Sequence, residues 1–135
     1  MKKHPFVQSV EEEMHRFSDE ETAIGMKAYM RDQFEFLGVK KPFREIVLKK
    51  FTSEFRSIPD KEWMLIVQQM WKLPYREFQY MAMEFCKVKS KNFQPEHLPV
   101  FEHMVTDKSW WDTVDFLASN LIGELFRRYP ELIAP

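Results

Sequence analysis

The densest set of chemistry-bearing side chains runs Lys108-Ser109-Trp110-Trp111-Asp112-Thr113-Val114-Asp115. On a helix beginning near Ser109, Trp111 and Asp115 stand four residues apart and share a face. An indole beside a carboxylate attracts cations in two ways, through the ring quadrupole and through the charge. Such a pair would hold a cationic ligand, or stabilise positive charge as it develops in a transition state. The same spacing also suits a packed indole beside a solvated acid, and spacing alone leaves both readings open. Asp112 falls in the first turn, where a carboxylate favours the helix dipole. Trp110, Val114, Leu117 and Leu121 follow the i, i+4, i+7, i+11 pattern, which predicts an apolar stripe facing the core.

Other candidates are sparser. Lys40, Lys41, Arg44, Lys49 and Lys50 crowd one loop–helix region, and Lys87, Lys89 and Lys91 another. Either group could meet phosphates or stand as solvated surface. Tyr29 lies on a predicted helix between Lys27 and Arg31, as a pocket wall or as half-buried packing. His97 and His103 are six residues apart with a proline between them, which is not a metal-ligand spacing. Cys86 is the one cysteine, so an internal disulfide and a Cys-based zinc site are both excluded. Its place on an apolar helix face predicts packing rather than nucleophilic chemistry. With only Gly25, Gly38 and Gly123, the chain has no Gly-rich phosphate loop and no dinucleotide fingerprint.

The elements that must position these residues are helical. The 135 residues are the size of one domain, and 44% are hydrophobic and 16% aromatic, enough for a core. Few glycines argue against an all-β sandwich, whose turns consume them. Pro5 opens a helix to about Phe17. Ser18 and Asp19 are N-cap candidates for a second helix, running to about Leu37 with Gly38 at its C′ position. Pro42 opens a third, with Phe43, Val47 and Phe51 recurring every four residues beside Ile46. Pro59 and Asp60 open a fourth, whose stripe is Trp63, Ile66, Val67, Met70 and Trp71. Pro74 opens a fifth, with Phe78, Ala82 and Phe85 on one face. A polar, basic connection over 87–94 leads to Pro95 and a sixth. Asp107 or Ser109 caps a helix from Trp110, Asn120 begins the last, and Pro130 follows its end.

About eight helices with short connections make the chain all-α. Pro59, Pro95 and Pro130 lie 36 and 35 residues apart. That period fits antiparallel helical pairs stacked as HEAT-like repeats, an α-solenoid spanning 1–135 as a single domain. A compact bundle is the alternative. A solenoid needs a polar cap, and none follows the last helix. Leu121, Leu125 and Ile133 are therefore expected to leave an uncapped C-terminal face, open to self-association. Formal charge is uneven: residues 22–91 hold 14 basic and 8 acidic side chains (+6), between ends of −3 and −4. A central basic block would suit a polyanion. No apolar run reaches ~18 residues, so no membrane span is expected. The first ten residues carry no signal-peptide core, which with the single cysteine points to a cytoplasmic location.

Four stretches carry a family resemblance: His4-Pro5-Phe6-Val7, Tyr29-Met30-Arg31 to Phe36-Leu37-Gly38, Leu73-Pro74-Tyr75-Arg76-Glu77-Phe78-Gln79, and Lys108 through Asp115. Together they resemble the AlkD-type DNA alkylation repair glycosylases, which are built from HEAT-like repeats. The Ser109-Trp110-Trp111-Asp112 to Asp115 segment is the specific part. The resemblance implies a DNA N-glycosylase that removes cationic alkylated purines, such as 3-methyladenine and 7-methylguanine, from double-stranded DNA without metal or other cofactor. It implies that Asp115 is the catalytic carboxylate, that Trp111 is an aromatic wall of the cleft and that Tyr29 is a further aromatic there. Lys40, Lys41 and Arg44 are the expected phosphate contacts. In that family an arginine and a second tryptophan reach the cleft from later repeats. This chain is therefore expected to carry the larger part of such an enzyme, without its C-terminal repeats. A non-catalytic helical-repeat module that binds DNA or protein is the other expectation.

Overall fold

The computed structural model describes residues 2–133, and among them every regular element is helical. The chain divides into two compact units, Met1–Ala82 and Met83–Pro135. The first contains α1 (Pro5–Arg16), α2 (Glu20–Tyr29), α3 (Lys41–Arg56), α4 (Asp60–Trp71) and the start of α5 (Arg76–Val88). The second contains the end of α5, α6 (Leu98–Thr106), α7 (Trp111–Phe116), a π-helical segment (Leu117–Ile122) and α8 (Gly123–Arg128). Short 3-10 turns occupy Ser90–Asn92, Pro95–His97 and Pro130–Leu132.

Proline opens helices here because its missing N–H would have had no partner in the first turn anyway. Pro5, Pro42 and Pro99 each sit in the first two positions of α1, α3 and α6, and Pro59 is the N-cap of α4. In the first unit α1 packs on α3 and α4. Phe6 meets Phe51 and Phe55 at 5.5 Å between ring centroids, and Phe55 meets Trp63 edge-on at 6.1 Å. The whole expected stripe of α4 is buried. That of α3 is shifted: Val47, Phe51 and Phe55 are buried, while Phe43 and Ile46 are 41% and 52% exposed. Phe43, in the first turn of α3, stacks instead on Phe17 just past the end of α1, at 5.2 Å and 14° between planes.

The second helix corrects the sequence expectation more strongly. α2 ends at Tyr29, not Leu37, and Arg31 and Asp32 take left-handed φ values of 54° and 61°. The following residues are held by the start of α5. The Glu77 carboxylate accepts the backbone N–H groups of Leu37 (2.9 Å), Gly38 (2.8 Å) and Val39 (2.9 Å). The Arg76 N–H donates to the Glu35 carbonyl at 2.8 Å, beside an isolated parallel bridge between Glu35 and Tyr75. The Arg76 guanidinium lies 3.6 Å from the centroid of the Phe34 ring. Arg76 and Glu77 are both fully buried. Three charge-assisted bonds to one buried carboxylate outweigh another two turns of helix. Gly38 is required for a different reason than a helix C′: its φ is +87°, and a Cβ there would run into the Asp19 carbonyl.

In the second unit α6 packs on the π segment. Phe93 meets Phe101 edge-on at 5.0 Å. Buried His97 accepts the Gln94 N–H through Nδ1 at 3.0 Å, closing a capping box. No helix begins at Asn120: α7, the π segment and α8 continue without a break, and the Asn120 amide donates to the Phe116 carbonyl at 3.3 Å. The expected open apolar face is corrected too. Leu121 and Leu125 are fully buried, and only Ile133 of the three is exposed, at 65%. Among the described residues no helix is long and apolar enough to cross a membrane.

Candidate functional site

The segment entering α7 carries two local costs. Lys108 holds a left-handed φ of 56°, which costs a non-glycine residue ~1–2 kcal/mol. Trp110 does not begin the helix but caps it in extended conformation, and its carbonyl accepts the N–H groups of Thr113 and Val114 at 3.1 and 3.0 Å. That conformation places the indole Nε1 of Trp110 in a buried position with no acceptor among the described residues. A buried unpaired donor costs ~1–3 kcal/mol. Strain of this kind gathers at functional sites. Lys108→Gly should therefore stabilise the chain: relief of the left-handed side chain, less the greater unfolded-state freedom of glycine, leaves about 0.5–1 kcal/mol. A urea midpoint moved upward with unchanged m-value is the expected result; a lowered midpoint would show Lys108 to be held by its own contacts.

Beyond that entry, Trp111 is the first residue of α7 and is 54% exposed. Asp115 follows one turn later, also exposed, and its carboxylate has no hydrogen-bond or ion-pair partner among the described residues. The two residues expected to act together thus stand together on one face. Asp112 is half-buried in the first turn, as a helix-terminus acid should be. The expected core stripe is corrected: Trp110 and Val114 are only half-buried, and Thr113, Leu117, Leu121 and Leu125 are the fully buried residues.

The remaining candidates belong to the first unit. Tyr29 closes α2 rather than lying within it, and is 74% exposed. Beside it Lys27 pairs with Glu35 at 2.8 Å, which holds its ammonium above the ordinary lysine range. Lys40 is the N-cap of α3 and Lys41 its first residue, both exposed. Two cations at a helix N-terminus oppose its dipole, so their place favours an anion nearby. Arg44 is engaged at home: it donates to the Val39 carbonyl at 3.0 Å and lies 4.9 Å from the Tyr80 ring centroid. Much of the basic block is similarly occupied, with Arg76 and Lys89 buried and Lys50 paired to Glu13 at 2.9 Å.

Two residues set aside in the sequence stay structural. Cys86 is buried, and desolvation pushes its thiol far above the ordinary range, which makes it inert. His97 is a capping residue. Among the described residues no three of His, Cys, Asp and Glu converge in a way that could hold a metal ion. Sequence reasoning missed the π segment, although the unbroken four-residue spacing of Thr113, Leu117, Leu121 and Leu125 was its signal.

With this geometry established, known proteins give a consistent comparison. A family model described as DNA alkylation repair enzyme matches residues 10–134. No curated protein matches the chain. Among solved structures, a protein described as a predicted DNA alkylation repair enzyme from Enterococcus faecalis shares the all-α fold, with a TM-score of 0.78 and 28% identity. The match covers 84% of this chain and 53% of that one, so the chain spans about half of the relative's length.

Proposed function

This chain belongs to the DNA alkylation repair enzyme family, and on that premise we propose that it acts in the cytoplasm as a DNA N-glycosylase on cationic alkylated purines. The observation that carries this reading is the exposed Trp111–Asp115 pair on α7. Alkylation at a ring nitrogen places positive charge on the purine and makes it a good leaving group. As the base–sugar bond breaks, positive charge passes to the deoxyribose, as in other oxocarbenium-like glycosidic transition states. In this reading the Asp115 carboxylate faces that charge and orients the attacking water. The Trp111 ring favours a cationic base over a neutral one through its quadrupole. Lys40, Lys41 and Arg44 meet backbone phosphates. The chemistry asks for no metal and no cofactor.

The test is release of 7-methylguanine or 3-methyladenine from methylated duplex DNA, with unmodified duplex as the control. Time-dependent release of the alkylated base supports the reading, and duplex binding with no release overturns it. Such binding would favour the second reading, a non-catalytic helical module. Binding itself should be salt-dependent. Three phosphate contacts predict a slope of about −3 in log affinity against log salt, and Lys40→Ala with Lys41→Ala should reduce it by ~2. A slope unmoved by the double substitution would place the DNA surface elsewhere.

A further inference from the structure

The continuous helix through α7, the π segment and α8 buries Thr113, Leu117, Leu121 and Leu125, each four residues from the last. A regular α-helix cannot keep that stripe on one face. From Thr113 to Leu125, residues spaced ~100° apart overshoot three full turns by ~120°. The π segment absorbs one residue of rotation, ~100°, because its hydrogen bonds run from i to i+5. The Gly123 N–H donates to the Ala118 carbonyl, five residues back. A Cβ on Gly123 would stand 2.8 Å from that oxygen, so glycine is what lets the turn close there.

This phase decides where the candidate site points. With Thr113 packed, Trp111 and Asp115 lie two residues to either side of it, ~200° around the helix, and both face away from the core. An unbroken α-helix carrying Leu117, Leu121 and Leu125 inward would instead pack Val114. Trp111 would then lie only ~60° from the core direction and Asp115 ~100° from it. That is the stripe which regular periodicity predicts from the sequence, and the one the protein does not use.

We propose that Gly123 and the π turn it closes are positioning elements for the Trp111–Asp115 pair, setting the helix phase that turns both side chains to solvent. Their functional consequence rests on the reading of Asp115 as the catalytic carboxylate, whereas the phase itself does not.

The test reads phase by thiol labelling with 5,5′-dithiobis(2-nitrobenzoate). Cys86 is the chain's one cysteine and is buried, so it stays silent. In the parent background Thr113→Cys should be protected and Asp115→Cys reactive. Adding Gly123→Ala should raise the labelling rate at 113 by ~10-fold or more and lower that at 115, because Thr113 is the fully buried residue of α7 and a change of phase exposes it. Deleting Ser119 from Gly123→Ala sets Thr113, Leu117, Leu121 and Leu125 at i, i+4, i+7 and i+11. A regular helix then regains the parent phase, and the parent labelling pattern should return. Local strain relieved by other means would show no such rescue. An unchanged pattern in Gly123→Ala, or no return on deletion, overturns the proposal. If Gly123→Ala does not fold, deletion of Ser119 alone decides: protection at 113 with reactivity at 115 supports the phase argument, and reactivity at 113 overturns it. Base release by the same backbones carrying Asp115 should fall with Gly123→Ala and recover on deletion. A parent that releases no base sinks the functional reading, while labelling still decides the phase.

Discussion

Glu77→Gln should cost about 3–5 kcal/mol of stability, the penalty of breaking a buried charge-assisted cluster by removing one partner. Its carboxylate takes three backbone N–H groups, from Leu37, Gly38 and Val39, at 2.8–2.9 Å in a site closed to water. Glutamine keeps the shape but replaces one accepting oxygen with a donor, so at least one N–H faces another donor. Glu77→Ala leaves all three unpaired and should cost at least as much. Against a total of ~5–15 kcal/mol, either loss leaves the first unit marginal. Denaturant unfolding at neutral pH measures it. A change under ~1 kcal/mol for Glu77→Gln would mean the segment finds other acceptors, and that Glu77 does not hold it. Gly38→Ala is the companion experiment: it strains the same segment through the Asp19 carbonyl while leaving the carboxylate in place.

That cluster also shows what the sequence could and could not reveal. Helix starts were legible because proline and cap residues act locally: Pro5, Pro42, Pro59 and Pro95 each mark a start in the protein. The end of α2 was not legible. Asp19 to Leu37 has helical composition, and the decision against helix is made some 40 residues later in the chain, by Glu77 and Arg76. A buried acid on an apolar helix face carries no mark of its partners. The Trp111–Asp115 pair was legible because four-residue spacing survives on one turn of α7 whatever the helix does afterwards. Its facing direction was not, because periodicity analysis assumes 3.6 residues per turn and the π segment breaks that assumption. Leu121 and Leu125 were misjudged through the repeat argument, which asks what caps a stack; both are fully buried.

Asp115→Asn should lower the rate of alkylated-base release by ~10²–10³-fold, the usual loss when a preorganised charge partner of a transition state is removed. Asparagine keeps size and helix position, so the effect isolates charge. The position suits such a test: Asp115 is exposed, and no partner among the described residues has to be broken to change it, so stability should hardly move. Asp112→Asn is the internal control. It removes a first-turn acid worth ~0.3–1 kcal/mol to the helix and should leave base release within a few-fold of the parent. Trp111→Ala separates the second role. If the indole selects cations through its face, its loss should cost ~0.5–2 kcal/mol on a methylated purine and little on a neutral lesion. The pattern that supports the pair is a large loss at 115, a small one at 112 and a charge-selective one at 111. Equal losses at 112 and 115 would mean that the helix end, and not the Asp115 carboxylate, carries the effect. An unchanged rate in Asp115→Asn would remove that carboxylate from the chemistry altogether, and the exposed indole would stand as a binding surface alone.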